Sequence, residues 1–200
     1  GANVVIAGLI GRGLRKEIPE AVHTAVLVAI LSGAVLLAVG MLIARPMLIL
    51  MNTPEDVIDL ATLYLRIYFL GMPAIMLYNF GSAVLRSKGD SRRPVIALIY
   101  GGILNVILNL ILVIVFRLHV IGVAAATVSS NVVSATLIIR HMLHEEEDFR
   151  LYPAKLHINR HHLLQMVRIG LPAGLQGVVF SLSNTVIQSG VNSFGSYASA

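Results

Sequence analysis

Long apolar stretches alternate with short polar gaps along this chain. The spacing predicts five membrane-crossing helices, over about 21–44, 57–85, 94–116, 118–139 and 170–195, because crossing a bilayer core takes about 20 apolar residues. A shorter Gly-rich run, Gly1 to Gly11, reads as the end of an earlier helix. The chain stops at Ala200 in or just past a helix, so the sequence is expected to be the middle of a longer protein. Pro46, Asn52 and Pro54 mark an outer loop, Lys88-Gly89-Asp90 a tight inner turn, and Pro94 a first-turn residue of the third span. Pro73 is expected to kink the second span. The gap at 117–120 is so short that the third and fourth spans should form a helical hairpin.

Charge gives the weave a direction. Of the 15 Lys and Arg residues, Arg12, Arg15, Lys16, Arg86, Lys88, Arg92, Arg93, Arg140, Arg150, Lys155, Arg160 and Arg168 all fall in alternate gaps. Only Arg45 and Arg117 lie in the other gaps, and Arg66 inside a stretch. Cytoplasmic loops carry the Lys/Arg excess, which puts the basic loops 12–20, 86–93 and 140–168 in the cytoplasm of a multi-pass cell-membrane protein. The composition agrees: 56% hydrophobic and 12% charged residues with a mean hydropathy of +0.83 exclude an ordinary soluble domain. The net charge of +5 is absorbed by the topology rule, and no basic patch interleaved with aromatics remains to suggest nucleic acid. With no cysteine there is no disulfide or thiol nucleophile.

The longest polar stretch, 140–168, reads as a solvated, partly helical connector between two halves. Its His141/His144 and His157/His161 pairs have the spacing of two-imidazole metal sites. No carboxylate is fixed beside them, so no metal is expected.

Polar groups in hydrocarbon are costly unless they face the bundle interior, so they are where function would sit. Gly101, Asn105 and Asn109 share one face of the third span at helical spacing. On the fourth, Gly122, Ala126, Ser130 and Ser134 form a row of small residues that admits a close helix neighbour, with Thr127 and Asn131 beside it. From the residues alone, the two asparagines serve equally well as interhelical glue, contributing about 0.6 kcal/mol per bond, or as part of a pathway. The second span carries Tyr64, Tyr68 and Asn79, with Arg66 expected to snorkel to the outer surface. The fifth carries Gly170-Leu-Pro-Ala-Gly174 and then Gln176, Asn184, Gln188 and Asn192. No acidic residue is read inside the spans, which either excludes proton or sodium coupling or leaves the binding carboxylate to other helices.

Several stretches in series resemble the multidrug and toxin extrusion (MATE) family. They are Gly1-Ala-Asn-Val-Val-Ile-Ala with Gly11-Arg-Gly, Leu85-Arg-Ser-Lys-Gly-Asp-Ser-Arg-Arg-Pro94, Asn105-Val-Ile-Leu-Asn109, Gly122-Val-Ala-Ala-Ala-Thr127 and Gly170-Leu-Pro-Ala. The resemblance implies an all-α polytopic bundle, the end of helix 2 through helix 7 of a twelve-helix, two-lobe transporter. Residues 1–139 would belong to the amino-terminal lobe, 140–168 to the inter-lobe connector and 169–200 to the first helix of the second lobe. It further implies a secondary antiporter that exports small organic, often cationic, compounds in exchange for protons or sodium, without a cofactor. Asn105, Asn109 and Thr127 would match the family's ion- and substrate-handling network, and Tyr64 and Asn79 its cavity lining; Tyr68, Gln176, Asn184 and Gln188 are weaker pathway candidates. Asn109 stands where some relatives carry Asp, and no Glu lies near Phe180 or Ser181, where some sodium-coupled relatives carry one. A flippase for lipid-linked saccharides is the competing transporter reading; a cavity rich in Arg would favour it, and only Arg66 is available. A membrane enzyme is the competing reading of another class, but His161-His162 and Glu145 to Asp148 bring no oxyanion or metal constellation with them.

Overall fold

The computed structural model describes the backbone of residues 1–193 and the side chains of residues 1–187. Seven α-helices follow in order: α1 (Ala2–Gly11), α2 (Ile18–Leu50), α3 (Glu55–Leu70), α4 (Met72–Ser87), α5 (Arg92–Asn109), α6 (His119–Leu143) and α7 (Arg160–Ser193). Five helical segments are long and apolar enough to cross a membrane: Arg15–Leu50, Glu55–Ser87, Arg92–Val115, His119–Leu143 and Arg160–Ile187. Their outward side chains are apolar as well, with Leu42 77% and Val115 70% exposed. A soluble protein rarely presents such surface, whereas lipid or a further helix covers it without penalty.

The second stretch differs from the single kinked helix expected for it. It is two helices, broken at Gly71, with Pro73 in the first turn of α4, where a residue lacking N–H costs least. The same proline touches α2: a Cβ on Gly33 would fall 2.6 Å from Pro73 Cα, so only glycine admits this approach. About two turns along α2, Gly40 makes room for the Phe69 ring, which a Cβ would meet at 2.2 Å. Pro46 sits inside α2 rather than in the outer loop, which is confined to 51–54. Asp59 corrects the expectation of acid-free spans. It lies in the second turn of α3, and Arg45 of α2 donates to it at 2.6 Å near the loop that joins the two helices.

α5 and α6 form the expected hairpin. The end of α5 loosens into a π-helical turn, Leu110–Val115, and the chain reverses with Arg117 and His119 at positive φ. α6 packs against α3, α4 and α5, and α2 against α3 and α4; the described part of α7 packs on α1 and α2. The core gathers at the basic end, where Ile6, Leu9, Ile18, Val22, Leu85, Ile138 and Met142 are fully buried. Phe149 and Leu151 join it, so the connector is not the solvated loop expected. Its non-helical part is also shorter than 140–168, because α6 runs to Leu143 and α7 begins at Arg160.

Candidate functional site

Four polar residues of the apolar spans meet where α5 lies against α6. α5 can come close because Gly101 has no side chain: a Cβ there would lie 2.0 Å from Ser134 Oγ. Ser134 in turn donates to the Ala97 carbonyl at 3.0 Å, tying the helices together one turn from the site.

Next along the face, the Asn109 amide donates 3.0 Å bonds to the Asn105 main-chain carbonyl and to Asn105 Oδ1. A main-chain carbonyl only accepts, so the Asn109 atom facing it is the nitrogen. The Asn105 atom facing that nitrogen is then the oxygen, and both carboxamides are oriented by the bonding itself. Asn105 Nδ2 points across the interface to Thr127 Oγ1 and Ser130 Oγ, each at 3.4 Å. The two hydroxyl protons are used within α6: Thr127 donates to the Val123 carbonyl at 3.0 Å and Ser130 to the Thr127 carbonyl at 2.8 Å. Donation thus runs one way, from Asn109 to Asn105 to the hydroxyls. At its head the half-buried Asn109 keeps its Oδ1 without a partner among the described residues. A carboxamide oxygen held this way accepts a hydrogen bond from a protonated amine or ligates a hard cation such as sodium.

Of the residues singled out in the sequence, the structure joins Asn105, Asn109 and Thr127. Ser130 is the member the sequence did not single out; its place in the small-residue row suggested packing alone. Tyr64 and Tyr68 form a separate pair on α3, stacked with centroids 6.4 Å apart, and Tyr68 meets Phe69 edge-on. Asn79 is exposed on α4, and no described hydrogen bond joins it or the tyrosines to the asparagine cluster. Gln176 and Asn184 are exposed on α7; the side chain of Gln188 lies outside the described residues. Arg66 is exposed, as snorkelling requires.

A second polar cluster closes the basic end. Glu145, its side chain only 4% exposed, receives Lys88 Nζ at 2.6 Å and Arg93 Nη1, while Arg93 Nε also lies 3.2 Å from Asp90. Burial pushes the Glu145 carboxyl up. The Lys88 bond and charge, the Glu146 N–H and the Arg93 charge together outweigh burial and hold it below the ordinary carboxylate range. Three connector histidines make local bonds: His144 with the Arg140 carbonyl, His157 with the Lys155 carbonyl and His161 with Gln165.

The family model described as MatE matches residues 1–111. A probable multidrug resistance protein, YoeA of Bacillus subtilis, is 30% identical over 210 residues, taking in 100% of this chain and 45% of its own length. A protein of Shewanella oneidensis named as an FAD transporter is 28% identical, over 94% of this chain and 43% of its own. Among solved structures, the Vibrio cholerae MATE transporter VcmN in its bent form superposes with a TM-score of 0.83 at 22% identity, over 98% of this chain and 44% of that one. The fold class is thus that of a MATE transporter lobe, a multi-pass membrane protein. The chain belongs to the MATE family. It spans less than half the length of these curated relatives.

Proposed function

We propose that this chain provides most of one lobe of a secondary antiporter that exports small organic compounds by alternating access, with the α5–α6 asparagine cluster as part of its ion and substrate path. The observation that carries the reading is the one-way hydrogen-bond chain from Asn109 through Asn105 to Thr127 and Ser130, with an uncommitted carboxamide oxygen on Asn109 at its head. Packing alone needs no such free acceptor. Residues 1–139 are assigned to the first lobe, 140–168 to the connector and 169–200 to the first helix of the second lobe, with the basic loops in the cytoplasm. Asn109 is not ionisable. If protons drive export, the carboxylate that carries them is on another helix; if sodium does, Asn109 Oδ1 is a neutral ligand.

The test uses the complete transporter in inverted vesicles, offered both an organic cation and a flavin dinucleotide, since the names of the relatives cover both chemistries. Asn105→Leu should abolish export with expression retained. Asn109→Asp adds a titratable group to the path and should make the export rate newly dependent on pH. Normal export by the first variant and an unaltered pH profile in the second would reduce the cluster to packing.

A further inference from the structure

The connector is fastened to α2 by a histidine whose two ring nitrogens are given opposite roles. His23 is 3% exposed. Its Nδ1 lies 2.5 Å from the Pro19 carbonyl, and its Nε2 lies 3.1 Å from the Tyr152 backbone nitrogen. A carbonyl only accepts, so Nδ1 carries the proton; a backbone N–H only donates, so Nε2 must present its lone pair. Both bonds exist together in one neutral tautomer and in no other protonation state. The imidazolium places an N–H on Nε2 as well, facing the Tyr152 N–H donor to donor, and leaves that amide unsatisfied.

No described carboxylate is hydrogen-bonded to the His23 ring. On its own helix Glu20 is committed to Asn159 Nδ2 at 2.5 Å, and Glu17 lies 3.9 Å from His162 Nε2. The connector brings His157, whose ring stacks on His23 with centroids 6.2 Å apart. It also brings Tyr152, stacked at 6.4 Å, over whose ring sit Lys155 at 5.0 Å and Arg150 at 5.4 Å. The start of α7 adds Arg160, His161 and His162; α1 has no ionisable side chain, and α4 has the exposed Arg86 and Tyr78, whose hydroxyl donates to the Pro94 carbonyl at 3.0 Å. Protonation of His162 would strengthen its pairing with Glu17 and so acts in the opposite sense.

Docking at this point holds more than one residue. Seven residues on from Tyr152, the Asn159 N–H donates to Thr24 Oγ1 at 3.0 Å, and Asn159 Oδ1 accepts the His161 N–H at 2.9 Å, capping α7. We propose that His23 is a proton-sensitive latch, which holds the 151–159 segment on α2 while neutral and releases it when protonated. Docked, the segment moves with α2 and the chain is free to pivot only from α7 onward; released, it adds its own length to the pivot. That consequence for lobe motion rests on the transporter reading above, whereas the latch itself does not.

The chain has no tryptophan, so Tyr152→Trp supplies a single indole while keeping the backbone N–H that His23 receives. The 200-residue chain with this substitution is placed in nanodiscs, and acrylamide quenching of the indole is followed from about pH 8 to about pH 5, where imidazoles change charge. Quenching should rise severalfold on acidification in one protonation step. His23→Phe, which cannot accept, should be quenched to the high level throughout. His23→Gln, whose Oε1 accepts without titrating, should stay low throughout. His157→Ala and His162→Ala should keep the step. Flat quenching in the parent, a step that survives His23→Gln, or a step lost with His157 or His162 overturns the latch. None of these readings depends on transport.

Discussion

At the scale of single residues, adjacent glycines on α5 separate a requirement from an accident. A Cβ on Gly101 would meet Ser134 Oγ at 2.0 Å and the Ser130 carbonyl at 3.1 Å, while one on Gly102 meets nothing within 4 Å. Gly101→Val should therefore push the helices apart, break the Ser134 bond to Ala97 and stretch the Asn105 contacts to Thr127 and Ser130. Forcing extra atoms into a filled interface costs about 1–3 kcal/mol. Gly102→Ala should change stability by no more than about 1 kcal/mol, and in the stabilising direction, since alanine is the better helix former. Detergent-unfolding midpoints of the two variants followed by circular dichroism check both. Equal midpoints would show that the helices close over Gly101 less tightly than the structure has them. The helical period of the sequence already placed Gly101, Asn105 and Asn109 on one face. It did not reveal which residue across the interface each would meet, because that depends on the register between helices. Ser130 was accordingly missed as a partner of Asn105.

At the scale of elements, the short α4–α5 turn is held to the end of α6 by one carboxylate. Glu145 takes both Lys88, before the turn, and Arg93, after it. Removing its charge strands Lys88 and leaves Arg93 with Asp90 alone. Breaking a fully buried pair this way costs about 3–5 kcal/mol, and because Arg93 is well exposed the figure here is reduced to about 1–2 kcal/mol. Glu145→Gln should lower the unfolding free energy by that amount at neutral pH. The sign with pH follows from the direction of the shift. The carboxyl titrates lower in the folded chain than in the unfolded one, so its contribution is complete above the ordinary glutamate value of about 4.3 and fades as pH falls through the lower folded value. The stability gap between parent and Glu145→Gln should be constant from neutrality to about pH 5 and close below about pH 4. A gap that instead closes between about pH 7 and pH 5 would assign it to a histidine. The sequence showed these charges as a basic turn and an acidic run without showing that they are partners, since 52 residues separate Arg93 from Glu145. Pairings of that range are set by tertiary packing and leave no periodic trace. Pro73 was misjudged for a related reason. A proline in an apolar run reads as a kink, but here Gly71 before it and Gly33 opposite let the chain break and restart.

For the whole molecule, the number and order of spans were legible because hydrocarbon permits few solutions: a segment that crosses it must be apolar, helical and about 20 residues long. The connector was not legible. Its polar composition suggested solvent, yet Phe149 and Leu151 are buried and His23, Thr24 and Glu20 of α2 all bind it. A few apolar anchors in a charged segment are a weak signal. The structure contains no bilayer, so the direction of the weave rests on charge. Twelve Lys and Arg in alternate gaps against two in the others is a strong bias, and each gap is short enough for the rule to apply. The chain has no cysteine, so single cysteines can be introduced on a silent background. At the exposed positions Arg150 and Asn52 they should be modified by an impermeant maleimide from opposite sides, Arg150→Cys only when the cytoplasmic face is open and Asn52→Cys in intact cells. The core at the basic end, with α1, the connector and the start of α7 packed around it, would then face the cytoplasm as one unit. The asparagine cluster would lie within the membrane above it, and the Arg45–Asp59 pair would close the outer end. Modification of Asn52→Cys from the cytoplasmic side would invert the molecule, and with it the side from which the path beside Asn109 is loaded.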